Sequence, residues 1–211
     1  MSSTRVRFSA ARQVFEMFPT AARYVRTPSG EEEPLAFARK LLHSERPAEA
    51  IAYCAFLLPR REAVWWDCRC CAALIEGVDA DRAFRAAEAW VREPEDATRR
   101  AALVLAEKSD RPLATMWLAR AAGWSGGNIG PAESDRVLAP PHLTALAVYS
   151  SIMFAVAQGG AGNRAEWVRA CAVAGIRCAE TGDARVQPPP ARAPSPAPEK
   201  RSYGAVSFDT M

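Results

Sequence analysis

The chain has 211 residues, 49% of them hydrophobic, and a formal net charge of +3. That length supports one domain with a well-buried core, and the apolar content excludes a chain that is disordered throughout. The weak positive charge provides no strongly basic face, so we predict no nucleic-acid partner.

The predicted secondary structure is helical. Most long segments are rich in Ala, Leu and Arg with apolar residues three and four apart, and alternating β-branched residues are nearly absent. Prolines stand where new helical patterns begin, a position that tolerates the missing N–H. The predicted fold class is all-α, a compact bundle or short stack of eight to ten short helices over 9–18, 19–26, 34–44, 47–57, 60–76, 80–92, 94–108, 111–123, 142–158 and 164–180.

Three regions are predicted along the chain: an N-terminal extension over 1–8, a single helical domain over 9–182, and a Pro-rich tail over 183–211. The density of proline after position 186 predicts an extended, solvated and disordered tail. Its end carries Tyr203 and Phe208, which are candidates for a short docking motif. The alternative is an end without structure.

The helix predicted over 60–76 is apolar around nearly its whole circumference, so other helices should surround it. Asp67 lies on this helix between apolar flanks. We expect it to pair with an arginine such as Arg60, the alternative being a carboxylate in a cleft. The predicted structural core contains four tryptophans and one polar pair, namely Trp65, Trp66, Trp90, Trp167, Glu62 and Arg69.

No catalytic residue, metal site or cofactor is predicted. The six cysteines lie in helical runs, as small apolar residues do in a reducing compartment. On a helix Cys68 and Cys70 point about 160° apart, and no second cysteine pair or histidine completes a four-ligand set. His43 and His142 have no evident ligand or triad partner.

The segment between Arg136 and Arg164 contains no Asp, Glu, Lys or Arg, so we compare its length with that of a membrane-spanning helix. Its continuous helical part, Leu143 to Gln158, reaches roughly 24 Å, short of the ~30 Å hydrocarbon layer. We predict a buried core helix and no membrane insertion. The N-terminus lacks the apolar core of a signal peptide, which predicts a cytoplasmic protein.

The long loop from Trp124 to Pro141 is the candidate surface for a partner. A tryptophan at its start and two prolines at its end would make it a rigid rim for a peptide or a partner helix. The predicted partner-binding residues are Trp124, Asn128 and His142, with Tyr203 and Phe208 in the tail. The alternative is a connection that packs over the core.

Four strings carry a family resemblance: LPRREAVWW at 58–66, AEAWV at 87–91, WSGGN at 124–128 and PPHLT at 140–144. Together they resemble an uncharacterised proteobacterial family known only as a domain of unknown function, over roughly residues 10–182. The resemblance implies soluble helical proteins, some encoded beside type VI secretion genes, and hence an accessory, adaptor or chaperone role. It transfers no catalytic or binding residue, because none is assigned.

These observations favour a non-enzymatic helical protein-interaction module, an adaptor or chaperone near a bacterial type VI secretion system whose partner is another bacterial protein. Two alternatives remain. A small-molecule-binding bundle would use a cavity around Trp65, Trp66 and Trp124. An enzyme would need residues that converge only in the fold, with Asp67, Glu62 and His142 as its candidates.

Overall fold

The structure is a computed structural model that describes residues 6–108, 113–130, 137–159 and 164–190. Within those ranges the chain forms nine α-helices and two short 3-10 helices, and its extended pairing is limited to an isolated bridge between Asn128 and Leu138. The all-α prediction is confirmed. The helices are α1 Arg12–Met17, α2 Pro34–Leu42, α3 Ala48–Leu57, α4 Arg60–Leu74, α5 Arg82–Arg92, α6 Asp96–Glu107, α7 Ala114–Gly123, α8 Leu143–Gln158 and α9 Arg164–Thr181.

Local sequence signals set the helix boundaries. Proline begins α2 and stands directly before α3 and α4. The Glu33 carboxylate caps α2 by accepting backbone N–H bonds, and Asp81 caps α5 in the same way at 2.8 and 3.0 Å. Beyond α4 the chain reverses at Gly77, whose φ of +67° favours glycine. The segment predicted as a helix over 19–26 is the 3-10 helix Pro19–Arg23.

Helix α4 lies at the centre and packs against α5, α7, α8 and α9. Its Trp66 is fully buried, and the indole Nε1 donates a 3.0 Å hydrogen bond to the carbonyl of Cys171 in α9. The ring lies against Gly175, where an added Cβ would come within 2.7 Å of Trp66 Cζ2. A glycine on α9 therefore provides the space that lets the largest core side chain fill the α4–α9 interface.

Helix α8 is the apolar segment predicted to lie in the core, and it packs against α3, α4 and α7. Among the described residues, no helix has the length and apolar character needed to cross a membrane. All six cysteines are buried and none forms a disulfide.

Chain segments outside the predicted domain also contact the helices. Val6 and Phe8 pack against the core at the N-terminal end, and Val186 does so after α9. Ala184 is buried as well. The first residues of the predicted tail therefore lie against the helical body, and residues 191–211 lie outside the described part of the chain.

Candidate functional site

Two grooves flank the first turn of α4. We call the first the Arg60 groove; it has a volume of about 370 Å³ and is lined by Arg7, Met17, Phe18, Ala55, Phe56, Leu58, Pro59, Arg60, Pro141, Thr144 and Ala145. We call the second the Trp65 groove; it has a volume of about 500 Å³ and is lined by Arg61, Glu62, Trp65, Arg69, Glu88, Val91, Arg92 and Gly182. Adjacent arginines on α4 thus contribute to different grooves.

The floor of the Arg60 groove is apolar. The rings of Phe18 and Phe56 lie 5.6 Å apart, and Leu58 is buried beside them. At the rim, Met17 is 62% exposed, which is the highest exposure of any large apolar side chain in the described residues. Apolar surface that folding leaves in contact with water gains free energy when a ligand covers it.

The Arg60 groove has a positive lining. Two arginines line it, and its described lining residues include no aspartate or glutamate. Glu16 lies outside it, in a neighbouring hollow that Arg7 and Met17 also line. Arg60 is partly buried, and burial lowers the pKa of its guanidinium from the ordinary value, with the nearby charge of Arg7 lowering it further. Two like charges beside an apolar floor favour the approach of an anion.

Three of the four strings noted in the sequence meet at this groove. LPRREAVWW contributes Arg60, whose Nη1 donates a 2.6 Å hydrogen bond to the carbonyl of Ser125 in WSGGN. PPHLT contributes Pro141 and Thr144, and the Thr144 hydroxyl donates to the Trp124 carbonyl at 3.1 Å. Segments far apart in sequence are therefore bonded to one another along one wall of the groove.

Arg99 restrains the loop segment 124–130, which lies behind that wall. The residue is only 4% exposed. Its guanidinium donates to the carbonyls of Gly123 at 2.8 Å and Asn128 at 3.1 Å and contacts the Asp96 carboxylate. Gly127 has a φ of +64°, and a Cβ there would lie 3.0 Å from Arg99 Nη2. The described start of the loop thus wraps closely around a buried guanidinium, whose hydrogen bonds restrain it.

The residues predicted to bind a partner lie in different places. Asn128 Oδ1 accepts hydrogen bonds from the backbone N–H groups of Gly130 and Val137, so the amide oxygen closes the loop. Trp124 is half-buried, edge-to-face with Trp117 at 6.3 Å. His142 is half-buried and precedes α8. Their role in partner binding stays a prediction, and Tyr203 and Phe208 lie outside the described residues.

The Trp65 groove differs from the Arg60 groove because two glutamates, Glu62 and Glu88, lie among its three arginines. Arg69 stacks over the Trp65 ring at 5.5 Å, and Arg92 pairs with Glu88 at 3.3 Å. Arg61 donates to the Val91 carbonyl at 2.7 Å. Of the residues predicted for the core, two are buried and four are partly exposed: Trp66 and Trp90 in the first group, Trp65, Trp167, Glu62 and Arg69 in the second.

Asp67 is sealed in the core, and the expectation that it pairs with an arginine is wrong. Its Oδ1 lies 2.8 Å from the Ser151 hydroxyl and 3.6 Å from Cys71 Sγ. Ser151 Oγ also lies 3.0 Å from the carbonyl of Ala114, so its single hydrogen cannot serve both neighbours. A neutral Asp67 that donates to Ser151, which donates to Ala114, satisfies both contacts. Burial accordingly raises the pKa of Asp67 well above its ordinary value.

The residues named for the two alternative functions do not share a groove. Asp67 has no exposed surface, Glu62 lines the Trp65 groove and His142 lies before α8. Of the three tryptophans, Trp66 is sealed, Trp65 lines the Trp65 groove and Trp124 packs on Trp117.

The buried cysteines are poor candidates for nucleophiles or metal ligands. Burial raises the pKa of the Cys68, Cys70 and Cys71 thiols well above the ordinary value, which disfavours the reactive thiolate. In the described ranges, no three His, Cys, Asp or Glu residues are placed to hold a metal ion.

The sequence interpretation missed Arg7, Met17 and Arg99. A signal existed for Arg99, because it shares one face of α6 with the buried residues Ala102, Leu103 and Ala106, at spacings of three, four and seven. No comparable signal marked Arg7 and Met17, whose place in the groove depends on how the N-terminal segment folds back on α3 and α8.

Comparison with known proteins gives one positive finding. A family described only as a family of unknown function matches residues 37–179, which include Arg60 and Thr144 of the groove and exclude Arg7 and Met17. No curated protein and no solved structure matches the chain.

Proposed function

We propose that this chain, which belongs to the family of unknown function DUF6931, is a non-enzymatic protein-interaction module whose Arg60 groove binds a segment of another protein. The segment would place a large apolar side chain on the floor and an acidic side chain beside Arg7 and Arg60. The observation that carries this proposal is the pair of arginines over an apolar floor, with no acidic residue among the described lining residues.

The apolar floor supports the first half of this recognition. Phe18, Phe56 and Leu58 line the bottom of a groove of about 370 Å³, a size that suits one or two side chains better than a whole domain. These three residues are at most 9% exposed, whereas Met17 at the rim is 62% exposed. Covering Met17 would therefore provide most of the hydrophobic part of the binding free energy, through a flexible side chain that adapts to its partner.

The arginines support the second half. A carboxylate accepts paired hydrogen bonds from a guanidinium, and a partly desolvated guanidinium forms stronger pairs than one in bulk water. Arg60 is held in place by Ser125 before any partner arrives. Because Arg99 and Thr144 in turn fix the loop around Ser125, little conformational entropy would be lost at this wall on binding.

The proposed setting follows the resemblance noted in the sequence. We place the protein in the bacterial cytoplasm as an adaptor or chaperone-like accessory, with a component of a type VI secretion system as its partner. The groove supports an adaptor because it provides a docking surface without a reacting group.

The proposal can be tested by selecting peptides from a random display library against the full chain. Enriched peptides should share an aromatic or aliphatic residue next to an aspartate or glutamate. Two single variants should weaken the enrichment of the acidic residue: Met17→Asp, which places a like charge where the partner's acid approaches, and Arg7→Glu, which reverses one charge. The matched control is Val104→Asp, which changes an exposed apolar residue on α6, and it should select the wild-type motif.

Circular dichroism and thermal melting must show that all three variants remain folded. Enrichment of peptides without an acidic residue by the wild type, or an equally strong preference for the acidic residue by Arg7→Glu, would contradict the proposed mode of binding.

A further inference from the structure

We propose that the Arg60 groove also binds residues 203–211 of the same chain, with Phe208 on the apolar floor and Asp209 beside Arg7 and Arg60. The tail would then occupy the groove until a partner segment displaces it. This inference rests on the proposed function, since it concerns the regulation of the same groove.

The chain that follows α9 begins beside α4. Helix α9 ends at Thr181, and Gly182, with a φ of +81°, lines the Trp65 groove together with Arg61 and Glu62. Arg60 precedes Arg61 at the start of α4 and lines the Arg60 groove. Residues 183–186 lie against the body, with Ala184 buried, Val186 packed on the core and Arg177 bonded to the carbonyl of Asp183 at 3.3 Å. The tail therefore starts from a fixed position beside α4.

The remaining chain is long enough to reach the groove. Phe208 lies 18 positions after Pro190. The first half of this stretch is rich in proline, and an extended Pro-rich chain of this length would reach about 56 Å at ~3.1 Å per residue. A body of this size has a radius of gyration of only about 16 Å. Tethering also raises the local concentration of the tail at the groove, so weak contacts suffice.

The end of the tail has the chemistry that the groove fits. Residues 203–211 contain four large apolar or aromatic side chains, one aspartate and no lysine or arginine. Phe208 directly precedes Asp209, so one extended dipeptide would offer a ring to the floor and a carboxylate to the arginines. The Arg60 groove would thus be the docking site for the motif that the sequence suggested at Tyr203 and Phe208.

The experiment uses the full chain with methyl-labelled methionine and a nitroxide on Thr210→Cys, because the six native cysteines are buried and should resist labelling. The expected result is strong broadening of the Met17 methyl signal at the rim, relative to Met116 and Met153 on α7 and α8. The same label in a chain that also carries Phe208→Ser and Asp209→Lys should restore the Met17 signal. Equal Met17 broadening in the two chains would overturn the proposal.

A mixture of spin-labelled chain without methyl label and methyl-labelled chain without nitroxide tests for binding between molecules. Unchanged Met17 intensity supports binding within one chain, whereas broadening would place the tail in a second copy and overturn the proposal.

Peptide affinity separates failure of this inference from failure of the proposed function. For a peptide selected on the full chain, the Phe208→Ser, Asp209→Lys variant should bind about tenfold more tightly, because the competing tail is removed. Unchanged affinity with binding still sensitive to Arg7→Glu would reject the tail and leave the proposed function standing. If none of the selected peptides binds either protein, both the tail inference and the proposed function are rejected.

Discussion

Replacing Asp67 with asparagine should change how the stability of the protein depends on pH. A neutral Asp67 is the form that satisfies both hydrogen-bond contacts of Ser151, and burial raises the pKa of this carboxyl well above its ordinary value. In the unfolded chain an aspartate ionises near pH 4. Folding above that pH must therefore take up a proton, so Asp67 makes the wild type progressively less stable as pH rises from about 4 towards the folded-state pKa.

The size of the effect follows from linkage. Each pH unit between the unfolded and folded pKa values removes about 1.4 kcal/mol from the free energy of unfolding of the wild type. Asparagine has the same shape, and its amide can donate to Ser151 as the neutral acid does. It leaves one buried N–H without a partner, which costs about 1–3 kcal/mol at every pH. Asp67→Asn should thus be less stable than the wild type near pH 4 and gain on it at higher pH.

The assay is urea denaturation followed by circular dichroism at half-unit steps from pH 4.5 to 8. All other titrating groups are shared, so they cancel in the difference between variant and wild type. The control is Ser151→Ala, which removes the hydroxyl but retains the buried carboxyl; it should be destabilised and keep the wild-type pH dependence. A constant difference between Asp67→Asn and the wild type across this range would refute the neutral carboxyl.

Three further substitutions test the packing and loop interactions by the midpoint of urea unfolding. Gly175→Ala should lower the free energy of unfolding by about 1–3 kcal/mol, because the new methyl would lie 2.7 Å from the Trp66 ring. The cost of this clash outweighs the helix-propensity gain of about 1 kcal/mol. An unchanged midpoint would mean that the ring can move. Arg99→Ala should lower the free energy of unfolding by at least about 2 kcal/mol, because the carbonyls of Gly123 and Asn128 lose their donor. Arg99→Lys should restore less than half of that loss, because lysine lacks the planar fork of donors. Full rescue by lysine would contradict the forked contact. Asp81→Ala removes the N-cap of α5 and should cost about 1 kcal/mol, whereas no loss would show that the cap is dispensable.

The helices were predictable because their signals are local. Apolar spacing identified each helix, and proline located most of the starts to within two residues, as at α4 and α3. The ends were less accurate where the signal was weak. The helix predicted to reach residue 76 ends at Leu74, because Ile75 adopts extended angles before the turn at Gly77.

The groove and the environment of Asp67 were not predictable, because both depend on contacts between distant residues. Asp67 finds its partner in Ser151, which is 84 positions away on α8. The sequence of α4 alone suggests an arginine such as Arg60 as the partner of Asp67, whereas the fold places the Ser151 hydroxyl there. Arg7 and Arg60 likewise meet only after the N-terminal segment packs beside α3 and α8.

The most direct test of the proposed function is charge exchange between a selected peptide and Arg7. Dissociation constants would be measured by fluorescence polarisation for the wild type and Arg7→Glu, each with the acidic peptide and with the same peptide carrying lysine in place of the acid. We expect Arg7→Glu to bind the acidic peptide about fivefold more weakly than the wild type does, and to recover that loss with the lysine peptide. This ratio corresponds to about 1 kcal/mol, the coupling energy of an exposed ion pair. The same ratio of the two dissociation constants in both proteins would show that the acid is not bound in the Arg60 groove.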